Sequence, residues 1–393
     1  MSPRFRLRSL DGLRGLAAVI VLVHHALLVI PALAAPYYGQ TVQPGLPWLL
    51  VHTPLHLLWA GTEAVYLFFI LSGLVLTLAA RSASFTWTSY FPSRIVRLYV
   101  PVIAAVLLAA VVIAVFPRTS DTQSAWLLAR PTAYPVRSML TDIVLIDGVS
   151  RSVSPLWSLT WEVLFSLLLP VYIVVARRLP VLLQIVIAIA ASTVGFMFTI
   201  GALQYLPMFA IGVALASGWQ RIDTAARRLT GVWGALAWTA VIVVASLMTI
   251  SYWLLLPITG GQTRMIALPT SLVGITMLIV AAVHAPLLRA ILSTRVLVFL
   301  GTISFSLYLV HEPIVIAIGN MVPHASLTLV LAAPISLAVA VAFYYAIERP
   351  AHRLAQRVRR AADRDESAFA ENGLVVSGPE ARVEADAPRR SAP

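Results

Sequence analysis

Apolar stretches of about twenty residues recur along the chain, separated by short polar joints. A helix needs roughly 20 such residues to cross a bilayer. The pattern predicts about ten spans, near 12–34, 57–80, 95–116, 157–176, 180–200, 203–219, 231–251, 267–284, 296–319 and 326–347. The sixth is short and interrupted by Pro207 and Gly212. No internal repeat of the kind common in transporters is visible. The expected fold class is therefore all-α, a polytopic integral membrane protein.

Arginine placement supports this count and orients the chain, because cytoplasmic loops carry the excess of basic residues. With the N-terminus inside, the inner segments hold Arg4, Arg6, Arg8, Arg81, Arg94, Arg177, Arg178, Arg221, Arg227, Arg228, Arg289, Arg295 and the tail from Arg349. The outer loops 35–56, 200–203 and 320–325 hold none. The exceptions are Arg264 and the long outer loop 117–156, with Arg118, Arg130, Arg137 and Arg151. Both termini are expected in the cytoplasm. Residues 1–350 form the transmembrane unit, and 351–393 read as a charged, disordered tail for want of apolar periodicity. The outer loop is too small for a domain of its own and suits a lid.

The first span opens SLDGLRGLAAVIVLVHH over Ser9–His25 and carries Arg14 at its mouth and His24 and His25 near its middle. Ionisable groups at such depth are costly and mark functional sites. Eleven positions at ~100° each bring Arg14 and His25 within about 20° of one face, roughly 16 Å apart along the axis. A tunnel along that face would hold the two ends of a long, phosphate-headed ligand. Two other readings stay open: a signal peptide ending at Ala32-Leu33-Ala34, and a histidine bonded to a neighbouring helix with Arg14 as a topology anchor.

Composition narrows the classes. The chain has 393 residues, 60% hydrophobic and only 11% charged, with no cysteine, so disulfides and thiolate metal sites are excluded. The net charge is +12 and every basic residue is arginine. Such a balance can signal nucleic acid, but here the arginines sit in loops between apolar spans, so no nucleic acid is expected. No zinc spacing, Gly-rich phosphate loop or GxSxG elbow occurs, and no metal is expected.

Few polar groups remain inside the spans. Arg94 and Arg97 lie three apart on one face at the inner boundary and suit a phosphate cluster. Glu63 falls near the outer end of the second span. Ser158 and Glu162 share a face about one turn in from outside, where a buried carboxyl could carry a proton. His311 and Glu312 fall in the outer half of the ninth span, with Tyr308 one turn earlier. Glu348-Arg349 reads as a helix end with a local charge pair. Ordinary boundary arginines, a glutamate facing the outer loop and a structural hydrogen-bonded cluster are the plainer alternatives.

The stretch RSLDGLRGLAAVIVLVHH resembles the first helix of the membrane acyltransferase type 3 family, which includes O-antigen, peptidoglycan and nodulation-factor O-acetylases and macrolide acyltransferases. The family's Arg-x10-His is matched by Arg14 and His25, and its Arg-x-x-Arg by Arg94 and Arg97. EAVYLFFILSG, LWSLTWEVLF, GTISFSLYLVHEP and ERP are similar to family segments, in the family's order, so the resemblance covers about residues 9–350. Where many members have Tyr, this chain has Ser166, and the hydrolase-like domain fused to some members is not expected.

The resemblance implies an acyl-CoA donor, with acetyl-CoA as the first choice, and a hydroxyl acceptor, usually on a sugar. It makes His25 the catalytic histidine and gives Arg14, Arg94 and Arg97 to the donor. Glu162 is the second catalytic candidate, and Glu63, Ser158, Tyr308 and His311 are acceptor-side candidates. No bound cofactor is expected beyond acyl-CoA as co-substrate. Expected partners are the lipid bilayer, acyl-CoA and a glycan or glycosylated small-molecule acceptor, with homodimerisation left open. The expected location is the cell membrane. The rival classes are a proton-coupled transporter with His25, Glu162 and His311 as relay, and a scaffold or receptor with incidental buried polar groups. A macrolide-type acceptor is the alternative within the enzyme class.

Overall fold

The computed structural model describes residues 7–119, 122–145, 149–260, 263–322 and 324–376, with side chains as far as 364. The part of the expected tail from 377 to 393, together with Arg4 and Arg6, lies outside the described residues. Long helices are α1 (Arg8–Leu27), α2 (Gly61–Ala80), α3 (Trp87–Val115), α4 (Leu156–Ala176), α5 (Val181–Met197), α6 (Gly201–Ala226), α7 (Gly231–Thr249) and α8 (Thr263–His284). They are followed by α9 (Arg295–Thr302), α10 (Ser304–Met321), α11 (Ser326–Phe343) and α12 (Arg349–Val376). Among the described residues eight helices are long and apolar enough to cross a membrane, or nine with α9 and α10, bent by 71°, taken as one span. The shorter apolar helix α5 makes the tenth expected segment. The chain is thus an all-helical, multi-pass membrane protein.

Backbone polar groups find no water in a bilayer core, so spanning segments must satisfy them internally as helices. What then sorts the helices is the chemistry of their faces. In α10 nearly every side chain from Ser304 to Ala317 is buried, polar ones included, which makes it the central helix. In α7 apolar side chains point outward, with Val232 and Trp233 more than two-thirds exposed. Such a surface belongs against lipid.

Small residues set the closest crossings. A Cβ on Gly12 would collide with the Leu292 carbonyl, one on Gly15 with the Gly301 amide, and one on Gly301 with the Asp11 carbonyl. Between α2 and α6, Gly73 and Gly212 do the same, Gly212 against the Ile70 carbonyl. This corrects the reading of the sixth span as interrupted. It is one continuous helix, Gly201–Ala226, with Pro207 inside it, and Gly212 serves helix packing. Gly301→Ala is therefore expected to lower stability by about 3 kcal/mol or more, because the obstacle is backbone and no side chain can yield. Thermal unfolding in detergent reads this directly. A variant as stable as the parent would show that the crossing is looser than described.

Two further expectations are corrected. The third helix begins at Trp87, not near 95, because Trp87, Tyr90 and Phe91 interlock with Phe85 through ring contacts of 4.9–5.9 Å. Arg94 consequently lies two turns inside α3. The tail is helical at its start: α12 lies along α3, with Thr86 Oγ1 donating to Asp363 at 2.9 Å and Arg359 to the Ser84 carbonyl at 2.9 Å. Its seam is Ala351 and Ala355, four apart and both buried. Small residues of low hydropathy leave a weak periodic signal.

The described part of loop 117–156 forms a cap over the end of α1 that carries His25. Arg118 ties its ends by donating to the carbonyls of Pro131 and Ser152 at 3.1 and 2.7 Å. The Asp142 carboxylate gathers the Ser150 amide, the Ser150 hydroxyl and the Tyr134 hydroxyl at 2.6–2.7 Å. Burial and the adjoining Asp142 push the Tyr134 phenol up, so it stays protonated and donates. Ser124 secures the cap to α1 through the Leu28 carbonyl at 2.7 Å.

Candidate active site

A cavity of about 430 Å³ opens between α1, α2, α3, α4, α10 and the turn into α12. Contacts fix its polarity. Asp11 meets Gly301 and His25 meets His311, so α1 and α10 run side by side in one direction. Helix α2 starts at the far end, with Gly61 against the His24 ring, and α4 starts there too, with Ser158 bonded to Tyr308. Arg14, Arg94, Arg97, Glu348 and His352 therefore line one end of the cavity, and Phe68, Ser158 and Tyr308 the other.

The arginine end holds more than arginines. Arg94 donates to Glu162 at 2.6 Å and, through Nε, to the Ser166 hydroxyl at 3.1 Å. The Ser166 hydroxyl in turn donates a hydrogen bond to the Glu162 backbone carbonyl at 2.7 Å. The serine that departs from the family pattern thus anchors Arg94. Glu162, expected in the outer half away from the arginines, is instead the partner of Arg94. The early start of α3 brings the two to one level. Among the described residues neither Arg14 nor Arg97 forms an ion pair, although both line the cavity.

Glu348 does not pair with Arg349. Adjacent residues on a helix point about 100° apart. A π-turn over Tyr344–Glu348 carries Glu348 inward, where it accepts from the Ser306 amide at 3.1 Å and the Ser306 hydroxyl at 2.5 Å. Arg349 turns outward over the Tyr345 ring at 5.6 Å.

At the other end Ser158 and Tyr308, expected to face an acceptor from outside, instead close the arginine-lined cavity. Their hydroxyls are 2.7 Å apart, and Tyr308 donates to the Pro155 carbonyl at 3.1 Å. One helical turn further lies the histidine pair. His311 Nδ1 is 2.8 Å from the Leu307 carbonyl, which can only accept, so His311 carries its proton there. Its Nε2 then accepts from His25 Nδ1 at 2.7 Å. With both rings neutral this leaves the lone pair of His25 on Nε2, to which no hydrogen bond is made among the described residues. The His25 ring lies edge to edge with His311, centroids 4.9 Å apart and within 20° of coplanar as their hydrogen bond requires, and Trp126 stacks on it at 5.4 Å and 21°. The expected tunnel from Arg14 to His25 is thus interrupted: neither histidine lines the cavity, and Tyr308 stands between.

Sequence reasoning missed the groups supplied by loop 117–156. Arg130 lays its guanidinium 4.7 Å over the Trp126 ring and donates through Nε to Glu312 at 3.0 Å. The Ser154 amide donates to Glu312 at 2.5 Å, and the Ser154 hydroxyl donates to it as well. The available signal was the arginine excess of loop 117–156, an exception to the basic-inside pattern. Glu63 is not brought to the histidine pair. It is buried, accepts from Trp253 Nε1 at 3.2 Å and belongs to a ring cluster near His56. His24 donates to the Trp59 carbonyl at 2.9 Å and packs there rather than beside a cavity.

The family model described as an acyltransferase domain matches residues 7–349. The chain belongs to the acyltransferase type 3 family. It is 30% identical over 331 residues, 79% of this chain and 80% of the other, to a protein named Acyltransferase MdmB from Streptomyces mycarofaciens. No solved structure matches it. As an acyltransferase the chain needs a donor site, an acceptor site and a group that moves a proton, and the cavity and the histidine pair are the candidates its geometry offers.

Proposed function

We propose that this acyltransferase moves an acyl group, acetyl first, from cytoplasmic acyl-CoA to a hydroxyl of a sugar-containing acceptor, within the cell membrane. The observation that carries the proposal is the cavity lined at one end by Arg14 and Arg97, neither of them in a direct ion pair among the described residues, with the His25–His311 pair beyond its other end. Guanidinium forks suit phosphates, and an extended pantetheine arm is comparable to the roughly 16 Å between Arg14 and His25 on one helix. Orientation follows the arginine bias of the loops, which assigns the cavity mouth to the cytoplasm.

The chemistry is a single balanced transfer. His25 Nε2 takes the acceptor's hydroxyl proton as that oxygen attacks the thioester carbonyl. The new C–O bond forms, the C–S bond breaks, and the departing thiolate takes the proton from His25 to leave as CoA thiol. A transient acyl group on the same nitrogen is the other route it permits. His311 positions His25 by holding its tautomer, and Glu162 holds Arg94. The acceptor is a glycan or a glycosylated small molecule, with a macrolide-type metabolite as the alternative.

The test is acyl transfer by purified protein in detergent, where no gradient can drive a transporter. Acceptors come from mass spectrometry of cell-envelope glycans and small metabolites of cells with and without the protein. Acyl transfer that requires added acetyl-CoA supports the reading, and none from any acyl-CoA overturns it. Arg14→Gln and Arg97→Gln are each expected to raise KM for acyl-CoA about 10- to 100-fold, since a hydrogen bond to a charged group contributes about 1.5–3 kcal/mol. An unchanged KM in both variants removes these arginines from the donor site.

A further inference from the structure

The end of the cavity away from the arginines is closed by a layer of rings. Tyr308 is 7% exposed and pinned by Ser158 and the Pro155 carbonyl at 2.7 and 3.1 Å. Phe68, half-buried and on the cavity wall, meets the Tyr308 ring edge-on at 6.0 Å and 77°. Immediately behind, the His311 ring is 6.1 Å from Tyr308, and His25 lies 4.9 Å beyond that. Three residues along α10 separate Tyr308 from His311, a rise of about 4.5 Å. The wall is therefore one ring thick. Tyr308 comes from the buried helix α10 and Phe68 packs against it, so the pair shifts little without strain.

If the donor lies in this cavity, as the proposed function holds, its thioester reaches His25 only by carrying the acyl group past these two rings. A two- or three-carbon group needs a small displacement. Each further methylene must be housed against Phe68, Tyr308 and the apolar neighbours Leu98 and Leu159, which line the cavity with them. We propose that Phe68 and Tyr308 set the upper limit on acyl length, making the protein selective for acyl groups of the acetyl or propionyl class. The polar ends of the site then serve donor and acceptor, while the ring layer between them measures what is transferred.

The experiment uses the full chain in detergent with acetyl-, propionyl-, butyryl- and octanoyl-CoA. The acceptor is the compound that gains an acyl group in the mass-spectrometric comparison above. The parent protein is expected to lose about tenfold or more in kcat/KM for each step past propionyl, the scale on which a filled pocket rejects a methylene. Phe68→Ala should raise the butyryl-to-acetyl ratio about tenfold, and Phe68→Trp should lower the propionyl-to-acetyl ratio. If Phe68→Ala does not fold, Phe68→Leu keeps apolar bulk and carries the same comparison with a smaller shift. Octanoyl transfer by the parent as fast as acetyl overturns the proposal, as do parental ratios in folded Phe68 variants. Both of these leave acyl-CoA dependence intact. Absence of transfer from every chain length overturns this proposal together with the reading beneath it.

Discussion

His25→Ala should lower acyl transfer by about 10²- to 10⁴-fold, the usual contribution of a positioned general base, while KM for acyl-CoA stays near the parental value. The two effects separate because the arginines that line the cavity are on other turns and helices. The prediction extends to His311, which acts through His25. Its Nδ1 proton is committed to the Leu307 carbonyl at 2.8 Å, so only its Nε2 lone pair faces His25. Removing that acceptor frees the His25 proton to sit on either nitrogen, and a base whose tautomer is no longer held has lost about 10⁴-fold in serine-protease triads. His311→Ala is therefore expected to cost about 10²-fold or more in kcat. His311→Gln, whose amide oxygen can accept from His25 Nδ1, should recover part of it. A merely structural role for His311 would show no such rescue. Near-parental transfer by His25→Ala removes the catalytic assignment altogether.

Much of this arrangement was legible along the chain, and the limits have physical causes. Helical period alone puts Arg14 and His25 on one strip of α1, because both belong to an uninterrupted helix, Arg8–Leu27. The same arithmetic puts Ser158 and Glu162 on one face of α4. Period says nothing about which helix comes alongside. Hence the Arg94–Glu162 pair and the joining of His25 to His311, 286 residues apart, emerge only when the helices pack. Depth was misjudged where rings replaced aliphatic residues. Trp87 and Tyr90 fall before the expected third span, but Trp87, Tyr90 and Phe91 pack against one another and start α3 two turns before Arg94. The helical start of the tail leaves little trace for the opposite reason, since an alanine seam packs well while contributing little hydropathy. The ring layer at Tyr308 was invisible because a tyrosine one turn from a histidine is equally compatible with sharing a cavity and with closing it.

Loop 117–156 is where sequence reasoning and structure differ most, and Arg130→Ala tests what holds it. Glu312 is fully buried and Arg130 nearly so, with side-chain exposures of 0% and 9%. Breaking a buried ion pair from one side costs about 3–5 kcal/mol, because the remaining charge is left without its partner. Glu312 keeps the amide and hydroxyl of Ser154, so the lower end of that range, about 3 kcal/mol, is expected. Removing both charges should be less damaging than the sum of the single losses, with a coupling of about 2 kcal/mol in the double-mutant cycle. The consequence reaches the reacting group. Arg130 lies over the Trp126 ring that stacks on His25, and without it the indole loses one of the contacts that fix it. Arg130→Ala should therefore lower kcat as well as stability, and Glu312→Ala should do the same by releasing Arg130. Denaturant unfolding in detergent, paired with the transfer assay, separates the outcomes. A variant within 0.5 kcal/mol of the parent, the usual range of a surface substitution, means that Ser154 and Arg118 hold the loop unaided. A stability loss with kcat unchanged means that the cap stands over His25 without supporting it.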